Sequence, residues 1–203
     1  MSWPYRRARW LVLLVALGCA PSASGPPAEL PDPAWSAVAD LDGDGAPEAV
    51  AGWLDAAGRA GVLAVTHGGR RWASGIYPMW KARTGDLDAD GRAEVVLGIW
   101  SRRRRHAEPE PHRCVWVLGW DGTALVERWR GSALARPLID FEVEPGEHPA
   151  APALLVSHER GEAGCVRARY RWTGFGFAGV DRRPASCDPA PREGRQRSPG
   201  PKM

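Results

Sequence analysis

Beyond residue 18 the chain has no apolar run of transmembrane length and little net charge of either sign. Its formal +3 arises from 27 Lys and Arg against 24 Asp and Glu, but Arg6, Arg7 and Arg9 stand in an N-terminal segment without an acid. From residue 19 onward the two signs balance, which disfavours a nucleic-acid binder built on a broad basic face. Catalytic signatures are missing as well. No Gly-x-Ser-x-Gly, Walker or dinucleotide-binding glycine pattern occurs, so no catalytic constellation is visible and the chain is not read as an enzyme. His67, His106, His112, His148 and His158 never stand four residues apart and never accompany Cys at ligand spacing, so none is assigned a role. What is plentiful is turn chemistry. The 24 Gly and 19 Pro, about one residue in five, are too many for a helix bundle and too few for a low-complexity chain. Eleven Trp supply enough apolar surface for one core, and a turn-rich all-β domain fits best.

Arg6, Arg7 and Arg9 precede the apolar run Trp10–Gly18, which is shaped like a secretory signal and is too short for a membrane anchor. The run ends in Ala16-Leu17-Gly18-Cys19, which resembles a bacterial lipobox, although Ala16 stands where Leu is usual. Residues 1–18 are therefore read as a signal peptide and Cys19 as the lipidated first residue; cleavage by ordinary signal peptidase after Ala20 or Ala23 is the alternative. Residues 19–34, proline-rich and unpatterned, read as the lipidated Cys and a flexible tether. That places the protein in the cell envelope, secreted across the inner membrane and held on the outer membrane or a periplasmic face. In such a compartment cysteines form disulfides. With Cys19 lipidated, Cys114, Cys165 and Cys187 remain, and Cys165 with Cys187 is the preferred pair, the other pairings staying open.

A repeat organises the rest. Ala39–Gly52 recurs as Gly85–Gly98 with a displacement of 46 residues and no gap, and a decayed copy begins at Pro137 and continues through Ala153–His158. After each loop come a strand, a second strand and a turn, such as Asp121-Gly122, that leads to a third; a short strand before the loop makes four per unit. Units of about 46 to 54 residues with four short antiparallel strands have the dimensions of a β-propeller blade. The reading is an all-β, propeller-like array of about three four-stranded blades, with completeness of the ring left open. It spans residues 35–182 in units of about 35–80, 81–134 and 135–182, and the Pro-rich tail 183–203 is expected to be disordered.

The pattern Asp-x-Asp-x-Asp-Gly-x-x-acid between short apolar strands resembles the FG-GAP or VCBS repeat, the calcium-loop blade of integrin α-chain propellers and many bacterial surface proteins. The resemblance implies a propeller-type fold with Ca2+ in the loops. It implies no particular activity, since such blades serve adhesins, lectins and accessory parts of enzymes. Complete propellers of this kind have six or seven blades, and this chain has room for three.

Calcium takes six to eight oxygen ligands, and carboxylates at alternate positions of a tight loop all point inward. Asp40, Asp42, Asp44, the carbonyl of Ala46 and Glu48 form one candidate set; Asp86, Asp88, Asp90, the carbonyl of Arg92 and Glu94 form the second. Ala51 and Leu97 stand where an EF-hand needs its final Glu, so that motif is excluded. Asp140, Glu142 and Glu144 are expected to make a third, empty or very weak loop. The run Arg102–Arg105 is read as a solvated loop or a contact for acidic lipid or a polyanionic envelope polymer. Trp53, Trp100, Trp116, Trp120, Trp129 and Trp172 are expected to pack between blades. The functional expectation is a calcium-stabilised envelope module for binding or scaffolding, anchored as a lipoprotein, with a protein or glycan partner and apolar end faces that favour self-association. An accessory subunit or degenerate relative of a secreted hydrolase is the alternative.

Overall fold

The computed structural model describes residues 32–102, 111–131, 134–148 and 150–188. Residues 1–31, which hold the expected signal segment, Cys19 and most of the expected tether, lie outside the described residues, as do Arg103–Arg105 and residues 189–203 of the expected tail. Twelve strands and no helix form among those described. They make three four-stranded antiparallel sheets, each a simple up-and-down meander. The first contains β1 (Trp35–Ala39), β2 (Glu48–Leu54), β3 (Gly61–His67) and β4 (Arg70–Ala73). The second contains β5 (Met79–Gly85), β6 (Glu94–Ser101), β7 (His112–Trp120) and β8 (Leu125–Arg130). The third contains β9 (Leu138–Glu144), β10 (Leu154–Gly161), β11 (Gly164–Trp172) and β12 (Phe177–Ala185). Each hairpin follows from its turn: Gly68-Gly69 and Gly122 take positive φ, which the tight connections demand.

The sheets stack face on face, with β1 beside β5 and β5 beside β9. Alternation along the strands sends Val50, Leu63 and Val65 of the first sheet against Val95, Leu97 and Leu118 of the second. The opposite face of the second sheet sends Val96, Val115 and Val117 against Phe141, Leu155 and Tyr170 of the third. A middle sheet buried on both faces needs continuous apolar strands, and β6 reads Val95-Val96-Leu97 for that reason, all three fully buried. Trp116, Trp120, Trp129 and Trp172 lie in or against these two cores, and the Trp100 indole donates to the Gly58 carbonyl of the first sheet. Trp53 differs: alternation turns it to the open face of the first sheet, where Arg71 lies over its ring.

Two boundaries are corrected. Asp140, Glu142 and Glu144 do not form a third loop; they lie in β9, and the connection to β10 is residues 145–153. Acids at every second residue are a strand pattern, and partners hold them there. Lys81 Nζ donates to Asp140 and Glu142 at 2.7 and 2.6 Å, Arg83 donates to Glu142, and Arg167 pairs with Glu144. The tail also starts later than residue 183, because β12 runs to Ala185 and Cys187 forms a disulfide with Cys165. Cys114 is buried in β7.

Candidate metal loops at one end of the sheets

Both acidic loops connect the first and second strands of a sheet, so the 46-residue repeat places them at equivalent positions. Their turns depend on left-handed backbone: Gly43, Gly45 and Gly91 have φ of 81°, 85° and 86°. At the position equivalent to Gly43 the second loop has Ala89, held at φ 60°, a conformation that costs a residue with a Cβ roughly 1 kcal/mol or more. The Gly43 position is tight for a second reason, since a Cβ there would come within 3.1 Å of the Arg92 side chain from the next loop.

Carboxylates organise each loop from inside. In the first, Asp40 accepts the Gly43 and Gly45 amides at 2.6 and 2.8 Å, Asp42 accepts the Asp44 amide and Asp44 accepts the Ala46 amide. In the second, Asp86 accepts the Asp90 and Gly91 amides and Asp90 accepts the Arg92 amide. Asp40, Asp42 and Asp44 each bring an oxygen within 4.8 Å of the others, as do Asp86, Asp88 and Asp90. Oxygens on opposite sides of a calcium ion lie about 5 Å apart, given Ca–O distances of about 2.3–2.6 Å, so both triads fit that ion. The Ala46 and Arg92 amides join the loops' own hydrogen bonds.

The two glutamates close the base of the loops. Glu48 Oε2 accepts the Leu41 amide at 2.7 Å and Glu94 Oε2 accepts the Leu87 amide at 2.9 Å, in both cases buried. Their second oxygens meet different partners. His67 Nδ1, at the end of β3, lies 3.2 Å from Glu48 Oε1 and 3.6 Å from Asp42 Oδ2. In the second sheet the residue facing Glu94 on β7 is Gly119, whose missing Cβ would lie 2.8 Å from Arg128 Cδ. The Arg128 guanidinium of β8 therefore reaches across Gly119 to donate to Glu94 and, at 2.8 Å, to Asp88. Burial pushes the Glu94 carboxyl up to about 7; the Leu87 amide and Arg128 oppose the shift, and the charges of Asp88 and Asp90 reinforce it. Thus the first loop is backed by an imidazole and the second by a guanidinium. Neither partner was visible in a linear motif, because each reaches its loop only through strand pairing.

Backbone hydrogen bonds tie consecutive loops together. The Ala93 amide donates to the Asp40 carbonyl at 2.6 Å and the Ala153 amide donates to the Asp86 carbonyl at 2.7 Å, the same position in successive sheets. The first sheet has Pro47 there, which has no amide hydrogen to offer a preceding sheet.

Two further features lie outside the loops. A groove of about 610 Å³ beside β1 and β5 is lined by Trp35, Leu54, Trp80, Lys81, Arg83 and Glu142. In the third sheet Glu159, fully buried, accepts hydrogen bonds from Ser157 and Tyr170 at 2.6 and 2.5 Å, while its Oε2 has no partner. Burial and the Glu159 hydrogen bond raise the Tyr170 phenol above its ordinary value. Compared with known proteins, the chain matches no family model and no curated protein sequence.

Proposed function

We propose that this chain is a calcium-stabilised cell-envelope module, a propeller-type blade array of the FG-GAP or VCBS kind, anchored as a lipoprotein through Cys19 and used for binding or scaffolding. The observation that carries the reading is the pair of acidic triads, Asp40-Asp42-Asp44 and Asp86-Asp88-Asp90, each gathered to within 4.8 Å at equivalent ends of two stacked sheets. Three like charges that close repel one another, and a hard divalent ion relieves the repulsion. The ion is structural in this account, since calcium has little tendency to acidify bound water. With Kd near ~0.1 mM, as in extracellular modules, and calcium at about 1 mM, each site would add roughly 1.4 kcal/mol. The first loop is the stronger site, because binding in the second requires Arg128 to release Asp88 and Glu94. Partners are a protein or glycan, with the groove beside β1 and β5 as the place to seek them. Thermal melts with calcium, magnesium or chelator test the reading: calcium should raise Tm and magnesium should do so far less.

The buried Glu159–Tyr170–Ser157 group favours a second reading, a degenerate relative of a secreted hydrolase. Tyr170 and Arg182 line a cavity of about 390 Å³ with Trp129 and Phe177. Glu159→Gln separates the readings: a residual hydrolytic site predicts wild-type turnover of a glycan or ester panel that the variant loses, whereas a packing role predicts no turnover in either and only a change in Tm.

A further inference from the structure

Strand register shows that the outer face of the third sheet is built differently from the corresponding faces of the sheets before it. Val50–Val65–Trp72 form one row across the first sheet and Val96–Val117–Trp129 form the same row across the second. Both rows face the next sheet and are part of the two cores. In the third sheet the row reads Val156–Arg169–Asp181. The adjacent row changes likewise, with Leu63 and Val115 replaced by Arg167, which pairs across β12 with Arg183. Where the first two sheets present apolar side chains to a successor, the third presents arginine. A terminal repeat needs a polar outer face for solubility, but any polar residue would meet that need. This face is also directional. Its inner strand β9 carries Asp140, Glu142 and Glu144, already engaged by Lys81, Arg83 and Arg167. Its outer strands carry Arg167, Arg169, Arg171 and Arg183 against two acids, Asp181, which Arg169 and Arg183 share, and Glu144 of β9, which pairs with Arg167.

We propose that the open face of the third sheet ends the array and docks a linear phosphate-bearing polyanion along β11 and β12. Arg167, Arg169 and Arg171 repeat on one side of β11 at about 7 Å, twice the rise of a strand residue, and guanidinium groups match phosphate oxygens in bidentate geometry. The cationic strip is two strands wide, and β10 separates it from the acids of β9, of which Glu144 is reached by Arg167. That width suits a single extended chain, whereas a flat anionic bilayer would also meet the acids of β9 beyond β10. The inference is independent of calcium in the loops.

The test uses the full chain and long-chain inorganic polyphosphate in fluorescence anisotropy, with neutral dextran, anionic phosphatidylglycerol vesicles and a variant at the opposite end as comparisons. Polyphosphate should bind with a log–log salt slope of about −1.5 to −2, as expected when two to three phosphates of a single chain are neutralised. Arg169→Glu with Arg171→Glu should weaken binding at least tenfold, while Arg70→Glu with Arg71→Glu should leave it unchanged. Arg171→Gln alone, which keeps the Arg169–Asp181 pair, should weaken binding threefold or more and covers the case in which the double variant fails to fold. Binding no tighter than to dextran, preference for the vesicles, or equal losses at both ends would each overturn the proposal.

Discussion

Glu94 provides a test in which pH and cation act on one carboxyl. It is 1% exposed, and its folded pKa of about 7 stands above the usual 4.5. For an acid whose folded pKa is raised, the stabilising contribution is complete below the unfolded value and disappears as pH rises through the folded one. In chelator, then, stability attributable to Glu94 should fall between about pH 4.5 and pH 7. The difference of about 2.5 units corresponds to a ceiling near ~3 kcal/mol at about 1.4 kcal/mol per unit. Glu94→Gln keeps an oxygen for the Leu87 amide and removes the ionisation. The variant should match wild type near pH 5 and exceed it by about 2 kcal/mol at pH 8 in chelator, as measured by urea denaturation. Calcium should reverse the order at pH 8, because the ion favours the carboxylate that the variant lacks. Identical pH profiles for wild type and variant in chelator would refute the reasoning, as they would show that Glu94 ionises without cost in the fold.

Arg128→Gln should lower stability in chelator by about 1–2 kcal/mol, since it leaves Glu94 and Asp88 without their cation; the same change should increase the calcium-induced rise in Tm. Cys187→Ser opens a cross-link between residues 22 apart, and chain-entropy arguments put its cost at about 3 kcal/mol, readable as a lower urea midpoint. Cys19→Ser should release the protein from the membrane fraction; a variant that stays there, or a mature N-terminus mapped to Pro21 or beyond, would remove the lipoprotein reading.

The strand order was legible because turn residues and period-two alternation agree at almost every hairpin, and the gapless 46-residue displacement set the equivalence of the two loops. The third unit was misread at its loop. Asp140, Glu142 and Glu144 looked like a decayed copy of the acidic motif, but their spacing suits β9 equally well, and Lys81 and Arg83 decide between the two from 59 to 61 residues away in sequence. Burial raises the Glu142 carboxyl, yet the hydrogen bonds of Arg83 and Lys81 outweigh it and hold the group below its ordinary value. Trp53 was assigned to inter-sheet packing from its recurrence at a strand position, whereas one step of alternation separates the two faces of β2. The expectation of apolar end faces also meets a different surface at the third sheet, where Arg167 and Arg169 occupy positions that are aliphatic in the sheets before it. His67 and Arg128 reach the loops through pairing and through the space left at Gly119, information that no local motif contains.

Calorimetric titration of calcium into the chelator-treated wild-type chain tests the central claim most directly. Two sites are expected, the tighter abolished by Asp42→Ala and the weaker by Asp88→Ala, with Glu142→Ala leaving both intact. A wild-type titration without binding heat at millimolar calcium, accompanied by an unchanged Tm, would contradict the account and leave the acidic loops as turns held by their own amides.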